Sequence, residues 1–198
     1  MSSLFNSNSA NEKAILRAAA LAARDALSRE HRAAAAQAIA DRGLPIEIMP
    51  GAVVAGYSPI RSEIDPTPLL RKLAAQGAQL GLPAIMADDQ PLKFRAWAFN
   101  DRLRRGRLGI LEPPPDAAEL IPDILLVPLA AFDRLGHRIG YGAGHYDRTL
   151  VQLRELKVIT AIGLAFAAQE VEAVPALLHD VALDYVLTET QMLDFRSS

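Results

Sequence analysis

The stretch from Asp123 to Leu150, DILLVPLAAFDRLGHRIGYGAGHYDRTL, restricts the fold of this chain more than any other. It opens on DILLVPL, a continuous apolar run without the alternation of a half-solvated strand, which predicts a strand buried on both faces. After a turn come Gly140, Gly142 and Gly144 at every second position, and then a segment expected to be helical from about Tyr146 to Leu156. A strand buried on both faces needs a layer on either side, so the chain is expected to fold around a covered sheet.

The remaining sequence supplies the other parts. Leu16, Ala20, Ala23 and Leu27 recur at three- and four-residue spacing behind Asn11, a suitable N-cap, which predicts a first helix from Asn11. A second, Ala-rich helix is expected over Arg29 to Asp41, before Gly43 and Pro45 break the pattern. Strands are expected at AVVAGYS, AQLGLPAI, LKFRAWAF, VITAIGLAF and DYVLT, with a helix from Pro66 to Gln76 placing Leu69, Leu70 and Leu73 on one face. Strands that alternate with helices over short connections predict an α/β fold: a single three-layer α/β/α domain with a mainly parallel, Rossmann-like sheet. With 198 residues against about 150 per domain, one domain over residues 11–198 is expected behind a disordered tail at residues 1–10.

Composition narrows the function. The balance of 21 Lys+Arg against 23 Asp+Glu gives a formal charge of −2, which disfavours broad binding to a polyanion. No nucleic-acid partner is expected. With no cysteine, thiol nucleophiles, disulfides and thiolate metal sites are excluded, and four histidines leave little for a zinc site. The polar start MSSLFNSNSANEK lacks a secretory signal, and no apolar run approaches the ~20 residues that span a bilayer. The expected protein is a cytoplasmic monomer that acts on small molecules, with no membrane partner.

Alternating glycines between a buried strand and a helix let the backbone approach a ligand closely and aim successive N–H groups at it, beside the positive end of the helix. Phosphate suits such a cradle, although a tight strand-to-helix connection needs the same glycines. The loop is not a P-loop, since no Gly-Lys-Ser/Thr follows, and its spacing is not the dinucleotide fingerprint. Arg138 precedes it, while Asp147 and Arg148 fall in the first turn of the following helix. Asp147 fits two readings: a ligand to Mg²⁺ beside the phosphates, or a helix-start carboxylate satisfying the dipole. Lys13, Arg17 and Arg24 form a basic stripe on the first helix, which reads either as a solvated face or as a set of phosphate contacts.

Five blocks, in order, resemble the 5-formyltetrahydrofolate cyclo-ligases, also called methenyltetrahydrofolate synthetases. They are KAILR at 13–17, GYSPIRSEIDPTPLL at 56–70, GILEPP at 109–114, VPLAAFDRLGHRIGYGAGHYDRTL at 127–150, and GLAF with HDVALDYVLTE between 163 and 189. The resemblance spans nearly the whole chain and implies a three-layer α/β/α fold. It also implies use of ATP and Mg²⁺ to convert 5-formyltetrahydrofolate to 5,10-methenyltetrahydrofolate, ADP and phosphate.

By position, the resemblance implies ATP contacts at Lys13, Ala14, Ile15, Leu16 and Arg17, and along Arg138, Ile139, Gly140, Tyr141, Gly142, Ala143, Gly144, His145 and Tyr146. Arg138 and Lys13 are the implied catalytic cations. Asp147 and Asp180 are the implied Mg²⁺ ligands. Folate is implied near Ser58, Glu63 and the segment Tyr141, Gly142, Ala143, Gly144 and His145. Where the family commonly reads PGLAFD and GYGGGYYDR, this chain has PLAAFD and GYGAGHYDR, so the Ala143 backbone must avoid a strained positive φ.

Formamide oxygen leaves poorly, and phosphorylation makes it a phosphate leaving group, so the chemistry asks for cations around the transferred group. Glu63 has the geometry of a pterin acceptor or of a helix-start carboxylate. Trp97, on an alternating strand, is read as core in preference to a ring-stacking contact. Two rival functions remain on sequence: a catalytically inactive nucleotide-binding relative serving as a regulatory or interaction module, and a CoA-transferase or sugar-phosphate isomerase on a similar sheet.

Overall fold

A computed structural model describes residues 2–177 and 180–196. The helices are α1 (Ser2–Asp25), α2 (Arg29–Arg42), α3 (Thr67–Ala75) and α4 (His145–Leu156). The strands are β1 (Val53–Ala55), β2 (Gln79–Ala84), β3 (Lys93–Ala96), β4 (Arg104–Arg105), β5 (Leu111–Glu112), β6 (Glu119–Leu120) and β7 (Ile124–Pro128). They continue with β8 (Ala131–Phe132), β9 (Arg138–Ile139), β10 (Thr160–Leu164), β11 (Tyr185–Leu187) and β12 (Met192–Asp194).

Eight strands form the main sheet in the order β12-β11-β10-β7-β1-β2-β3-β6. The five from β11 to β2 run parallel, while β12, β3 and β6 add antiparallel edges. The buried strand expected at DILLVPL is β7, near the middle of the sheet. Its successive side chains explain the unbroken apolar run: Ile124 and Leu126 pack with α2 and α3 on one face, Leu125 and Val127 with Leu150 and Leu153 of α4 on the other. This is the three-layer arrangement.

Helix α1 lies across one end of the sheet, where Ala20 packs with Ala130, Ala131 and Ile139. Its bounds start at Ser2, whereas the sequence places the first helix from Asn11 behind a tail; no proline or glycine interrupts residues 2–25. Helix α2 is set by local chemistry at both ends, with the Ser28 hydroxyl accepting from the His31 N–H at 3.1 Å and Gly43 adopting φ 78°.

Three local differences from the sequence reading have physical causes. LKFRAWAF pairs only as Lys93–Ala96, because the Asp101 carboxylate takes the Ala98 N–H at 2.7 Å and turns the chain. Trp97 packs against the α2/α3 face of the core, edge-on to Phe99 at 4.7 Å. DYVLT is not the last strand: the chain turns at Thr188–Gln191 and returns as β12, whose mostly exposed residues carry little hydrophobic signal. No helix among the described residues is long and apolar enough to cross a membrane.

Candidate active site

The carboxyl ends of β1, β2 and β7 open into a cavity of about 470 Å³, where open α/β sheets present ligand contacts. Pro83, Ile85 and Leu92 line one part of the wall, joined by Leu108 and Ile110 from the turn between β4 and β5. The glycine loop, α1 and the turn after β1 supply its polar groups.

The glycine loop enters from β9, which pairs antiparallel with β8, and leaves into α4. Gly142 and Gly144 adopt φ of 102° and 66°, so these two positions require glycine. Ala143 is not among the positive-φ residues, which is how the chain accommodates a methyl inside the loop. A Cβ on Gly142 would lie 3.6 Å from the Arg17 guanidinium, and Arg17 Nε donates to the Gly140 carbonyl at 2.7 Å. Arg17 therefore sits against the cradle it was expected to serve.

The other expected cations also line this cavity. Arg138 Nη2 donates to Asp147 Oδ1 at 2.7 Å, and its Nη1 donates to the Val181 carbonyl. Asp147 also accepts from the Val181 N–H at 3.2 Å, so its bonding is directed at Arg138 and the 180s segment. Burial pulls the Arg138 guanidinium below its usual range, opposed first by Asp147 and then by Asp180. Lys13 pairs with Asp180, whose Oδ2 also accepts the Leu177 N–H at 2.6 Å. Each implied metal carboxylate thus stands beside an implied phosphate cation. Of the rest of 13–17, Ala14, Ile15 and Leu16 do not line the cavity, and Ile15 is 61% exposed.

Ser58, which also lines the cavity, donates to the Leu111 carbonyl at 2.6 Å, fastening the turn after β1 to β5. Glu63 is 8% exposed and accepts the Ile60 N–H at 2.9 Å within this turn; α3 begins only at Thr67, so Glu63 is not a helix-start residue. Burial dominates its environment and pushes its carboxyl up to about 7, against the pull of the Ile60 N–H and Arg24. Tyr146 is pushed above its usual range, first by burial and then by Glu63. His145 Nδ1 lies 3.2 Å from the Gln90 carbonyl, linking the start of α4 to the loop between β2 and β3. Trp97 does not line the cavity.

Comparison with known proteins places this site in a lineage. The sequence pattern of the 5-formyltetrahydrofolate cyclo-ligase family matches residues 9–189. The chain belongs to this family. It is 33% identical over 147 residues to the 5-formyltetrahydrofolate cyclo-ligase of Escherichia coli (strain K12), covering 72% of this chain and 80% of that protein. The cyclo-ligase of Mycolicibacterium smegmatis is 37% identical over 145 residues, or 70% and 74% of the two chains. The NMR structure of Aquifex aeolicus 5,10-methenyltetrahydrofolate synthetase aligns with a TM-score of 0.77 at 28% identity over 94% of each chain. The Mycoplasma pneumoniae synthetase, at 24% identity, supports the fold, with a TM-score of 0.70 over 89% of this chain and 98% of that one.

Within this cyclo-ligase fold, one residue read as part of a solvated stripe requires correction. Arg24 has no exposure at all: it reaches inward to Ser62, Leu129 and Tyr141. The signal that could have found it is its place one turn after Ala20, which faces the core. Leu108 and Ile110 were also missed as cavity-lining residues, since nothing in RLGILEPP says which way that turn leans.

Proposed function

We propose that this chain converts 5-formyltetrahydrofolate to 5,10-methenyltetrahydrofolate with consumption of ATP, releasing ADP and phosphate, in a single domain over residues 11–198. The observation that carries this reading is one cavity lined at once by a buried carboxylate, Glu63, by three cations, Lys13, Arg17 and Arg138, and by the glycine loop. A folate offers ring N–H donors to a carboxylate, while ATP offers phosphate oxygens to cations and loop amides. Both then face the same space.

In this mechanism the formyl oxygen attacks the γ-phosphorus and ADP leaves, giving an imidate-like phosphate. N10 then attacks the activated carbon, the N10 proton is released, and inorganic phosphate departs as the ring closes. The protein contributes alignment and charge. Lys13 and Arg138 offset charge on the transferred group, Arg17 and the Gly142 and Gly144 turns hold the polyphosphate, and Glu63 and Ser58 hold the folate. The apolar wall at Pro83, Ile85 and Leu92 excludes water from the activated intermediate.

Mg²⁺ takes one or two carboxylates together with phosphate oxygens and water. Asp147 and Asp180, both lining the cavity, suit that demand, and no cluster of three or more His, Asp or Glu competes for it among the described residues. When bound, the ion supplies charge neutralisation at the phosphates. The test is the near-ultraviolet absorbance of the methenyl product, followed with and without ATP. Product formed only with ATP supports the reading. Nucleotide binding without product points to the inactive relative, and turnover without ATP to an isomerase-type reaction.

A further inference from the structure

The last turn of α1 carries a fully buried guanidinium that the proposed chemistry does not use. Arg24 Nε donates to Ser62 Oγ at 3.0 Å, Nη1 to the Leu129 carbonyl at 3.4 Å, and Nη2 to the Tyr141 hydroxyl at 2.5 Å. Ser62 in turn donates to Asp25 on the same helix. Ser62 precedes Glu63 in the turn of the folate wall, and Tyr141 belongs to the glycine loop of the phosphate wall. A single side chain therefore bonds to both walls.

The same two elements meet again through Arg61, which holds a left-handed φ of 54° beside Ser62 and places its guanidinium 5.9 Å from the centre of the Tyr141 ring. The Arg24 guanidinium lies 5.7 Å from that ring. Burying a guanidinium is costly unless its donors find partners, and here each of its three nitrogens has an acceptor from a different part of the chain. A planar fork can span them, whereas a lysine ammonium presents its donors from one atom.

We propose that Arg24 is a positioning residue that sets the spacing between the folate turn and the glycine loop, so that occupancy of one wall is felt at the other. The inference rests on the proposed function for the identity of the two ligands. In-line transfer needs the reacting atoms about 3–3.5 Å apart, and displacement by about 1 Å costs on the order of a hundredfold in rate. Arg24 touches neither ligand; it acts through Ser62 and Tyr141.

The test compares Arg24→Lys, Ser62→Ala and the unaltered protein by hydrogen exchange without ligands, and by calorimetry with 5-formyltetrahydrofolate and β,γ-methylene-ATP plus Mg²⁺, each alone and together. Ser62→Ala is expected to speed exchange at residues 140–144 as well as at 58–63, although Ser62 itself does not bond to the glycine loop. Arg24→Lys is expected to leave each separate affinity within about threefold while abolishing a mutual enhancement of at least about fivefold, with kcat falling and each KM, read at saturating co-substrate, rising by about the lost enhancement. Exchange confined to 58–63, or enhancement that survives Arg24→Lys, overturns the proposal. So does loss of both separate affinities in an Arg24→Lys protein that keeps its melting transition, which would place Arg24 in binding itself and not in spacing. If the unaltered protein binds neither ligand, the functional reading fails while the exchange experiment still decides the tether. Should Arg24→Lys not fold, Ser62→Ala carries both measurements.

Discussion

Glu63 sits where binding and stability pull in opposite directions, and replacing it with glutamine separates them. Its carboxyl is pushed up to about 7 from an ordinary value of 4.5, with burial as the leading cause. A carboxyl raised in this way is compatible with folding while protonated, so the associated stability is fully present below about pH 4.5 and is lost as the pH rises through about 7. Between pH 5 and pH 8 the cost of ionising it in the folded state grows by about 2–3 kcal/mol. Glu63→Gln keeps an oxygen for the Ile60 N–H and removes the charge. In the ligand-free protein the variant should therefore gain stability relative to the parent as the pH rises from 5 to 8, by about 5–10 °C in melting temperature for a chain of this size. Folate affinity should move the other way, falling by about 1.5–3 kcal/mol as a charge-assisted hydrogen bond is lost, with nucleotide affinity little changed. Thermal melts at the two pH values and calorimetry with each ligand check these expectations. A melting difference that ignores pH, or that turns unfavourable at pH 8, refutes the reasoning about burial.

Arg17→Ala should raise the apparent KM for ATP by about tenfold, equivalent to one charge-assisted hydrogen bond, with little change in melting temperature, since among the described residues Arg17 bonds only to the Gly140 carbonyl; steady-state kinetics and a thermal melt check both. Asp147→Asn should cut turnover sharply, with partial recovery at high Mg²⁺, and should lower ligand-free stability by about 1–3 kcal/mol because it strips a buried Arg138 of its carboxylate; an unchanged denaturant midpoint would refute the pairing. Gly142→Ala should destabilise by at least about 1 kcal/mol, because φ of 102° is strained for any side chain, whereas Ala143→Gly should cost only about 0.5–1 kcal/mol through chain entropy. Equal losses at the two positions, measured by chemical denaturation, would contradict the loop geometry.

The parallel centre of the sheet was legible because its strands are buried on both faces. Ile124 to Val127 alternate between two helix layers, and both layers demand apolar residues, so the run shows in the sequence as continuity. The edge strand β12 and the separate two-stranded β4-β5 ribbon have no such demand. Met192–Asp194 and Arg104–Arg105 pair through backbone hydrogen bonds with side chains largely in solvent, so almost any residue is tolerated there and no periodicity records the strand. The glycine loop was legible for a third reason: left-handed φ at 142 and 144 restricts residue identity directly.

Side-chain partners across the site obey a different rule. Lys13 and Asp180 stand 167 residues apart in the chain, and no local spacing links them. Their pairing follows from α1 crossing the end of the sheet, which is a property of the assembled core. The same crossing gives the three cations unequal access. Reaching Lys13 or Arg138 means replacing a carboxylate, Asp180 or Asp147, that already satisfies it. Arg17 has only a carbonyl to give up, and among the described residues no carboxylate pairs with it. In the proposed reaction an incoming phosphate would meet its least-compensated cation at Arg17, against the glycine loop, and the basic stripe that the sequence displays as three equivalent residues divides in the fold into three settings: a buried Arg24 bonded to Ser62, Leu129 and Tyr141, an Arg17 held among the described residues by a carbonyl, and a Lys13 paired with Asp180.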